Sequence, residues 1–334
     1  MTDCNPLIKN AQSLSVLSTL QILLPVFGLV LAGFACRRCG VLGSSAASEL
    51  NRFVVWLALP ALLFDILAHA TRQQFYQPAF VAAFALGAGG VFVLILTQRI
   101  LSGRHLADAS VDAIAASSPN TAYVGFPLCI IVFGPASLTP TTIATILVTC
   151  VLFPAGIVLI EVGLQTERTS HKLGLAVVRS LARNPLIVSP IAGVLLAGTH
   201  VTVPQSAETL LKLLSGATSP CALVSLGLFL AEKRPLGTVL KGSLLLTGSK
   251  LLLQPVLTWW LAACVFALPL TLVQMAVVLA ALPTGTGPFM LAEFYRREAH
   301  ITSRTILLST LGSLVSLSFL LFLYAAQRVK DFTR

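Results

Sequence analysis

The chain has 334 residues, 56% of them hydrophobic and only 10% charged, with a mean hydropathy of +0.90. An average soluble domain carries about a quarter charged residues, so these values exclude a water-soluble globule and a disordered chain, and seven cysteines are too few for a disulfide scaffold. The net charge of +10 fits the positive loops of a membrane protein better than nucleic-acid binding, because no basic run stands apart from the apolar segments.

The N-terminus shows neither the basic start nor the small-residue cleavage site of a removable signal peptide. Ten apolar stretches of membrane-crossing length follow, at 17–35, 50–69, 77–98, 109–134, 139–163, 183–199, 206–230, 243–266, 271–294 and 302–326. They are continuous runs without dyad alternation, which predicts helices rather than barrel strands. After the first span comes Cys36-Arg-Arg-Cys39, a lone CxxC without further ligands, read as ordinary reduced thiols. The second span carries Asp65, about 22 Å along its axis. As an intramembrane acid Asp65 is a candidate for coupling or for a vestibule, the alternative being solvation near the outer surface.

Asp108 and Asp112 stand at the start of the fourth span, where an acid suits the positive end of the helix dipole. Glu161 and Glu293 lie near the ends of the fifth and ninth spans and are expected to face water or pair with arginines. Lys250 in the eighth span is expected to snorkel to the cytoplasmic interface, with attraction of an anion as the alternative. Trp259 and Trp260 suit packing or the membrane interface. The five histidines fall in or beside loops without metal spacing, so no metal site is expected. No P-loop, nucleophile elbow or paired carboxylate occurs. This argues against an enzyme and leaves gradients or facilitated diffusion to drive any transport.

Alternate connections differ in charge. The loops after spans 1, 3, 5, 7 and 9 contain fifteen Lys and Arg, and the opposite face has six. The positive-inside bias places the fifteen in the cytoplasm and both termini on the extracytoplasmic side of a cell (inner) membrane.

The halves resemble each other at an offset of about 165 residues. Pro25-Val-Phe-Gly-Leu-Val-Leu-Ala-Gly33 matches Pro190-Ile-Ala-Gly-Val-Leu-Leu-Ala-Gly198 at five of nine positions. Pro60 answers Pro220, and Pro119 answers Pro283. Five helices per repeat is an odd number, so the second repeat enters from the opposite side. The expected fold is therefore an all-α polytopic membrane protein of ten helices in two inverted five-helix repeats, residues 1–165 and 183–334, joined by a short cytoplasmic loop at 166–182.

Two spans are broken at corresponding places. The fourth reads Ser117-Ser-Pro-Asn-Thr-Ala-Tyr-Val-Gly-Phe-Pro127 and the ninth Leu282-Pro-Thr-Gly-Thr-Gly-Pro288. Proline removes a backbone donor and clashes with the carbonyl four residues back. Clusters of this kind unwind a helix, and unwound backbone at membrane depth lines a cavity or is buried in protein. Where each helix restarts, free N–H groups point into the gap with partial positive charge, a setting for a small anion such as a carboxylate. The candidate substrate-binding residues are Pro119, Asn120, Thr121 and Gly125 in one break and Thr284, Gly285, Thr286 and Pro288 in the other. Neither break contains Asp or Glu, which favours anionic or neutral cargo over cations.

These residues carry a resemblance. Asn120-Thr-Ala-Tyr-Val-Gly-Phe-Pro-Leu128, Arg183-Asn-Pro-Leu186, Leu282-Pro-Thr-Gly-Thr-Gly-Pro288, Ala292-Glu-Phe-Tyr295 and Ser309-Thr-Leu make the chain similar, over essentially its whole length, to the auxin efflux carrier family, whose bacterial members include malonate-type transporters. The resemblance implies a scaffold, a transport unit and elevator-like alternating access around crossed helices 4 and 9, and it implies a homodimer. It also implies that Asn120 contacts the substrate carboxylate. Threonines in the ninth span and a central loop of about 20 residues depart from the plant pattern and favour small organic acids over auxin-like indole acids. A sodium-coupled organic-anion symporter of the bile-acid carrier type is the alternative with the same architecture. H+ and Na+ are the candidate coupling ions if transport is gradient-driven, and no cofactor is expected.

Overall fold

The computed structural model describes residues 24–25, 28–43, 45–69, 77–165, 178–179, 181–199, 203–231 and 239–332. The N-terminal tail, most of the central loop with Arg168 and Lys172, and the connection holding Lys233 and Arg234 lie outside the described residues. Among the described residues the chain is helical without strands.

Residues 28–38 form α1. α2 spans Ala46–Ala68, α3 Pro78–Leu101, α5 Pro135–Leu164, α7 Gln205–Leu230 and α10 His300–Phe332. Those five are long and apolar enough to cross a membrane; α6, Pro185–Thr199, is shorter. α4 comes in two pieces, α4a over Leu106–Ser117 and α4b over Thr121–Gly125 and Phe126–Phe133. α8 runs through Val239–Gly248, Ser249–Leu253, Gln254–Trp260 and Leu261–Val265. α9 is divided into α9a, Leu270–Ala280, and α9b, Gly287–Phe294.

Proline leaves a regular mark on these helices. Wide, π-helical turns occupy Val54–Ala58, Thr121–Gly125, Leu147–Leu152, Ser249–Leu253 and Leu261–Val265. A proline stands two residues beyond each of the first four, at 60, 127, 154 and 255, and not beyond the fifth. The missing N–H and the ring's clash with the preceding turn loosen the helix just upstream.

The helices pack in two groups. α2 contacts α6 and α7 most extensively, and α1 joins them; α4a packs on α3, α5, α9b and α10, with α8 against α10, α3 and α9a. Within the first group, Ser225 on α7 donates to the Ala47 carbonyl of α2 at 2.8 Å. α1 and α7 meet on reciprocal glycines. A Cβ on Gly33 would lie 2.2 Å from the Val224 carbonyl oxygen, and one on Gly227 would lie 2.0 Å from that of Val30. Such close backbone approach is how membrane helices gain dispersion contacts that lipid does not give them. Gly227→Leu is therefore expected to separate α1 from α7 at a cost of about 1–3 kcal/mol or more, read as a lower melting temperature in detergent.

The groups meet chiefly along α9b. Phe229 of α7 packs edge-on against Phe289 with centroids 5.0 Å apart, and Asn51 of α2 donates to the Met290 carbonyl at 3.3 Å. Trp259 and Trp260 are half exposed on the apolar exterior of α8.

Candidate functional site

The two helix breaks touch. Ser118, Pro119 and Asn120 run antiparallel to Pro283, Thr284 and Gly285, with Pro119 opposite Thr284. The Asn120 N–H donates to the Pro283 carbonyl at 2.8 Å, and the Gly285 N–H donates to the Ser118 carbonyl at 3.1 Å. Pro119 has no N–H, but it occupies the position of this short ladder that needs none. Each break thus satisfies backbone that the other left unpaired.

Helix ends around the crossing are capped from neighbouring elements. The carbonyls that end α4a receive the Thr284 hydroxyl at Ala115, 2.9 Å, and the Gln254 side-chain amide at Ser117, 2.9 Å. The carbonyl that ends α9a, Ala280, accepts from the Lys250 Nζ at 2.6 Å. The Ser309 hydroxyl accepts from the Thr284 N–H at 3.1 Å. Lys250 and Gln254 are one helical turn apart on α8 and both wholly buried. Lys250 therefore does not snorkel. Its Nζ ends at a helix C-terminus, where the free carbonyl takes it as a donor.

A cavity of about 80 Å³ opens beside the crossing, on the seam between the two groups. Its polar border is Ser118, Asn120, Thr121, Thr149, Thr218 and Thr286, and its apolar walls include Leu59, Leu62, Leu63, Val148, Phe153 and Met290. Asn120 precedes α4b and Thr286 precedes α9b, so both restarted helices direct their N-terminal ends here. The Asn120 side chain makes no capping bond. The hydroxyls of Thr121 and Thr218 are buried without a hydrogen-bond partner. A Cβ on Gly287 would come within 2.5 Å of the Phe153 ring, so glycine keeps α9b close to α5 at the cavity edge.

Of the residues predicted from sequence, Pro119, Asn120, Thr121, Gly285 and Thr286 line this cavity. The others do not. Thr284 spends its hydroxyl on Ala115, Pro288 is buried in the first turn of α9b, and Gly125 packs against Leu279 at the end of α9a and Leu282 in the break after it, where a Cβ would lie 3.1 Å from Leu282. Asp65 lies away from the cavity, 3.1 Å from His69 one turn later.

The remaining charges hold the ends of the second group together. Asp108 begins α4a as expected and is paired with Arg297 in the connection after α9b, the Arg297 Nε donating at 2.8 Å. Asp112 is buried instead of lying at the helix start, 3.0 Å from Arg99 and 3.6 Å from Arg104. Glu161 does not face water: it is buried and accepts from the Tyr295 hydroxyl at 2.7 Å, which in turn accepts from Asn184 at 2.8 Å. Burial, then the Glu161 carboxylate, pushes the Tyr295 phenol above its ordinary range, so the hydroxyl stays protonated and donating. Sequence reasoning missed Gln254, Thr218 and the leucine wall of α2. A glutamine four residues after a lysine inside an apolar span was the available signal for the first.

Residues 18–321 match the family model for membrane transport proteins. The chain belongs to that family. Over 303 residues it is 29% identical to the "Putative malonate transporter" of Rhizobium meliloti, covering 90% of this chain and 94% of the relative. An "Uncharacterized transporter" of Escherichia coli is 25% identical over 301 residues, 88% of this chain and 94% of its own. "Auxin efflux carrier component 3a" of rice is 31% identical over 150 residues, 44% of this chain and 24% of that protein. The resemblance to auxin efflux carriers read from the motifs thus holds, and the chain is a multi-pass membrane transporter.

Proposed function

We propose that the chain is a secondary transporter of small organic anions, malonate-like carboxylates among them, gradient-driven or facilitative, with its substrate site at the crossing of α4 and α9. The observation that carries this reading is the convergence of two helix N-termini, with Asn120 and Thr286 ahead of them and the unpartnered Thr121 hydroxyl between, on one cavity without an acidic side chain. Oriented N–H groups in a water-poor site attract a carboxylate without needing a cationic side chain in contact with it.

In this reading the chain crosses the inner membrane ten times as two inverted repeats, 1–165 and 183–334, with both termini extracytoplasmic and the 166–182 loop in the cytoplasm. The group of α1, α2, α6 and α7 is the scaffold, possessing the leucine wall. The other group carries the crossing and slides against it, as an elevator. The cavity's position on the seam supports this, because relative motion of the groups would open it to one side and then the other. Where transport is gradient-driven, the coupling ion is H+ or Na+, and the working unit is a homodimer. The sodium-symporter alternative is weaker at the crossing itself: the carbonyls freed by the breaks already accept from Asn120, Gly285, Thr284, Gln254 and Lys250.

Counterflow tests the reading. Proteoliposomes preloaded with unlabelled malonate are expected to accumulate labelled malonate transiently, without any imposed ion gradient. Absence of exchange for every carboxylate tried, in protein shown to be folded, overturns it.

A further inference from the structure

We propose that Asn184 and Tyr295 form a latch between the two groups at one end of the seam, and that its making and breaking biases which side of the membrane the cavity faces. The inference rests on the transport reading above and adds to it the residues that govern one conformational step.

The two residues belong to different groups. Asn184 caps α6 of the first group, its Oδ1 accepting from the Leu186 N–H at 3.0 Å. Its Nδ2 remains as a donor, and it donates across the seam to the Tyr295 hydroxyl at 2.8 Å. Tyr295 follows α9b in the second group, and its hydroxyl donates to Glu161 of α5, in that same group, at 2.7 Å. Donation to a carboxylate polarises the phenol oxygen and makes it a better acceptor for Asn184. When the groups slide, the Tyr295–Glu161 bond travels intact with one group and the α6 cap stays intact with the other. What parts is the one amide–phenol bond. It is specific in geometry, and as a bond between neutral groups it is weak enough to release in every cycle.

The rest of the seam indicates which side is shut. Asn51 of α2 donates to the Met290 carbonyl at 3.3 Å, and Phe229 of α7 packs on Phe289 and on His300 with centroids 5.0 and 5.1 Å away. Asn51 stands about 12 Å along α2 from Leu59 of the cavity wall, and Phe229 about 16 Å along α7 from Thr218. Both displacements run toward the helix ends that lead into the positively charged connections, and Asn184 and Tyr295 stand at that same end. Contacts between the groups therefore fill the seam on the side of the cavity read as cytoplasmic. Met290 ties them to the cavity, because its side chain lines the wall while its carbonyl is held by Asn51. The latched form is closed to the cytoplasm, and releasing Tyr295 from Asn184 favours the form open to it.

The test compares the two faces of the membrane. Initial counterflow of labelled malonate is measured in right-side-out and in inside-out vesicles holding the full chain, unmodified or as Asn184→Ser or Tyr295→Phe. Serine keeps a capping oxygen for α6 but is too short to reach Tyr295. Phenylalanine keeps the ring and removes the shared hydroxyl. In both variants the ratio of half-saturation concentrations, extracytoplasmic over cytoplasmic, is expected to rise about 2- to 10-fold, the weight of one neutral hydrogen bond in a two-state balance. A variant that only loosens the site raises both concentrations and leaves their ratio unchanged. Asn184→Ser leaves the Tyr295–Glu161 bond in place and decides alone where Tyr295→Phe does not fold. An unchanged or lowered ratio in Asn184→Ser overturns the latch and leaves the transport reading intact. Absence of counterflow by the unmodified chain from either face, for malonate and every other carboxylate tried, overturns the transport reading and the latch together.

Discussion

Asn120→Ala is expected to raise the half-saturation concentration for counterflow by roughly 10- to 100-fold, the loss of one hydrogen bond to a charged group at about 1.5–3 kcal/mol. The chain should stay folded. The Asn120 side chain makes no capping bond to α4b, and what the crossing needs from residue 120 is its backbone N–H on Pro283 and its carbonyl under Val124 and Gly125. Alanine keeps all three. Asn120→Asp goes further, since a carboxylate at that place faces the substrate carboxylate across a site of low dielectric. It is expected to abolish anion exchange. Initial exchange rates over a range of substrate concentration, beside a thermal melt of each variant in detergent, check both expectations. An Asn120→Ala variant that exchanges like the unmodified protein would remove the residue from the site.

Lys250→Met is expected to act through the crossing itself. Methionine fills most of the lysine's volume but leaves the Ala280 carbonyl buried without its donor. One buried acceptor left unpaired costs about 1–3 kcal/mol, so exchange should fall roughly 10- to 100-fold as the α9a end loosens beside the cavity. Lys250→Arg keeps a donor and is expected to retain measurable exchange, at a cost set by fitting a larger head into a fully buried position. The pair separates the donated hydrogen bond from packing: a melt that drops equally in both, with exchange lost only in Lys250→Met, assigns the loss to the donor. Equal loss of exchange in both variants would make Lys250 a packing residue only.

The breaks in the fourth and ninth spans were legible because proline acts locally: it removes a donor and crowds the preceding turn wherever it stands. The same chemistry explains the wide turns upstream of positions 60, 154 and 255. What local chemistry does not contain is which group each freed carbonyl meets. Thr284 and Thr286 are equivalent in the sequence, two hydroxyls flanking Gly285, yet only Thr286 reaches the cavity. Thr284 turns to Ala115, its hydroxyl taken by the α4a terminus that the other break exposed. Lys250 was misread for the same reason. A lysine in an apolar span snorkels if its neighbour is lipid, and caps a helix if its neighbour is a broken one. Only the packing of α8 on the crossing decides between them. Glu161 likewise found its partners in Tyr295 and Asn184, which stand 134 residues later and 23 residues later in the chain. Gly125 was chosen as a cavity residue because it sat among the prolines, but its lack of a side chain serves contact with Leu279 and Leu282.

An anion held at the crossing is seen most directly with a heavy-atom carboxylate. Crystals of the protein grown with 3-bromopropionate should give one dominant anomalous peak for bromine against the wall of Leu59, Leu62 and Leu63, with density for the carboxylate within hydrogen-bonding distance of Asn120 and Thr286. A bromine peak elsewhere, with the cavity beside the crossing unfilled, would contradict the placement of the substrate site between the two broken helices.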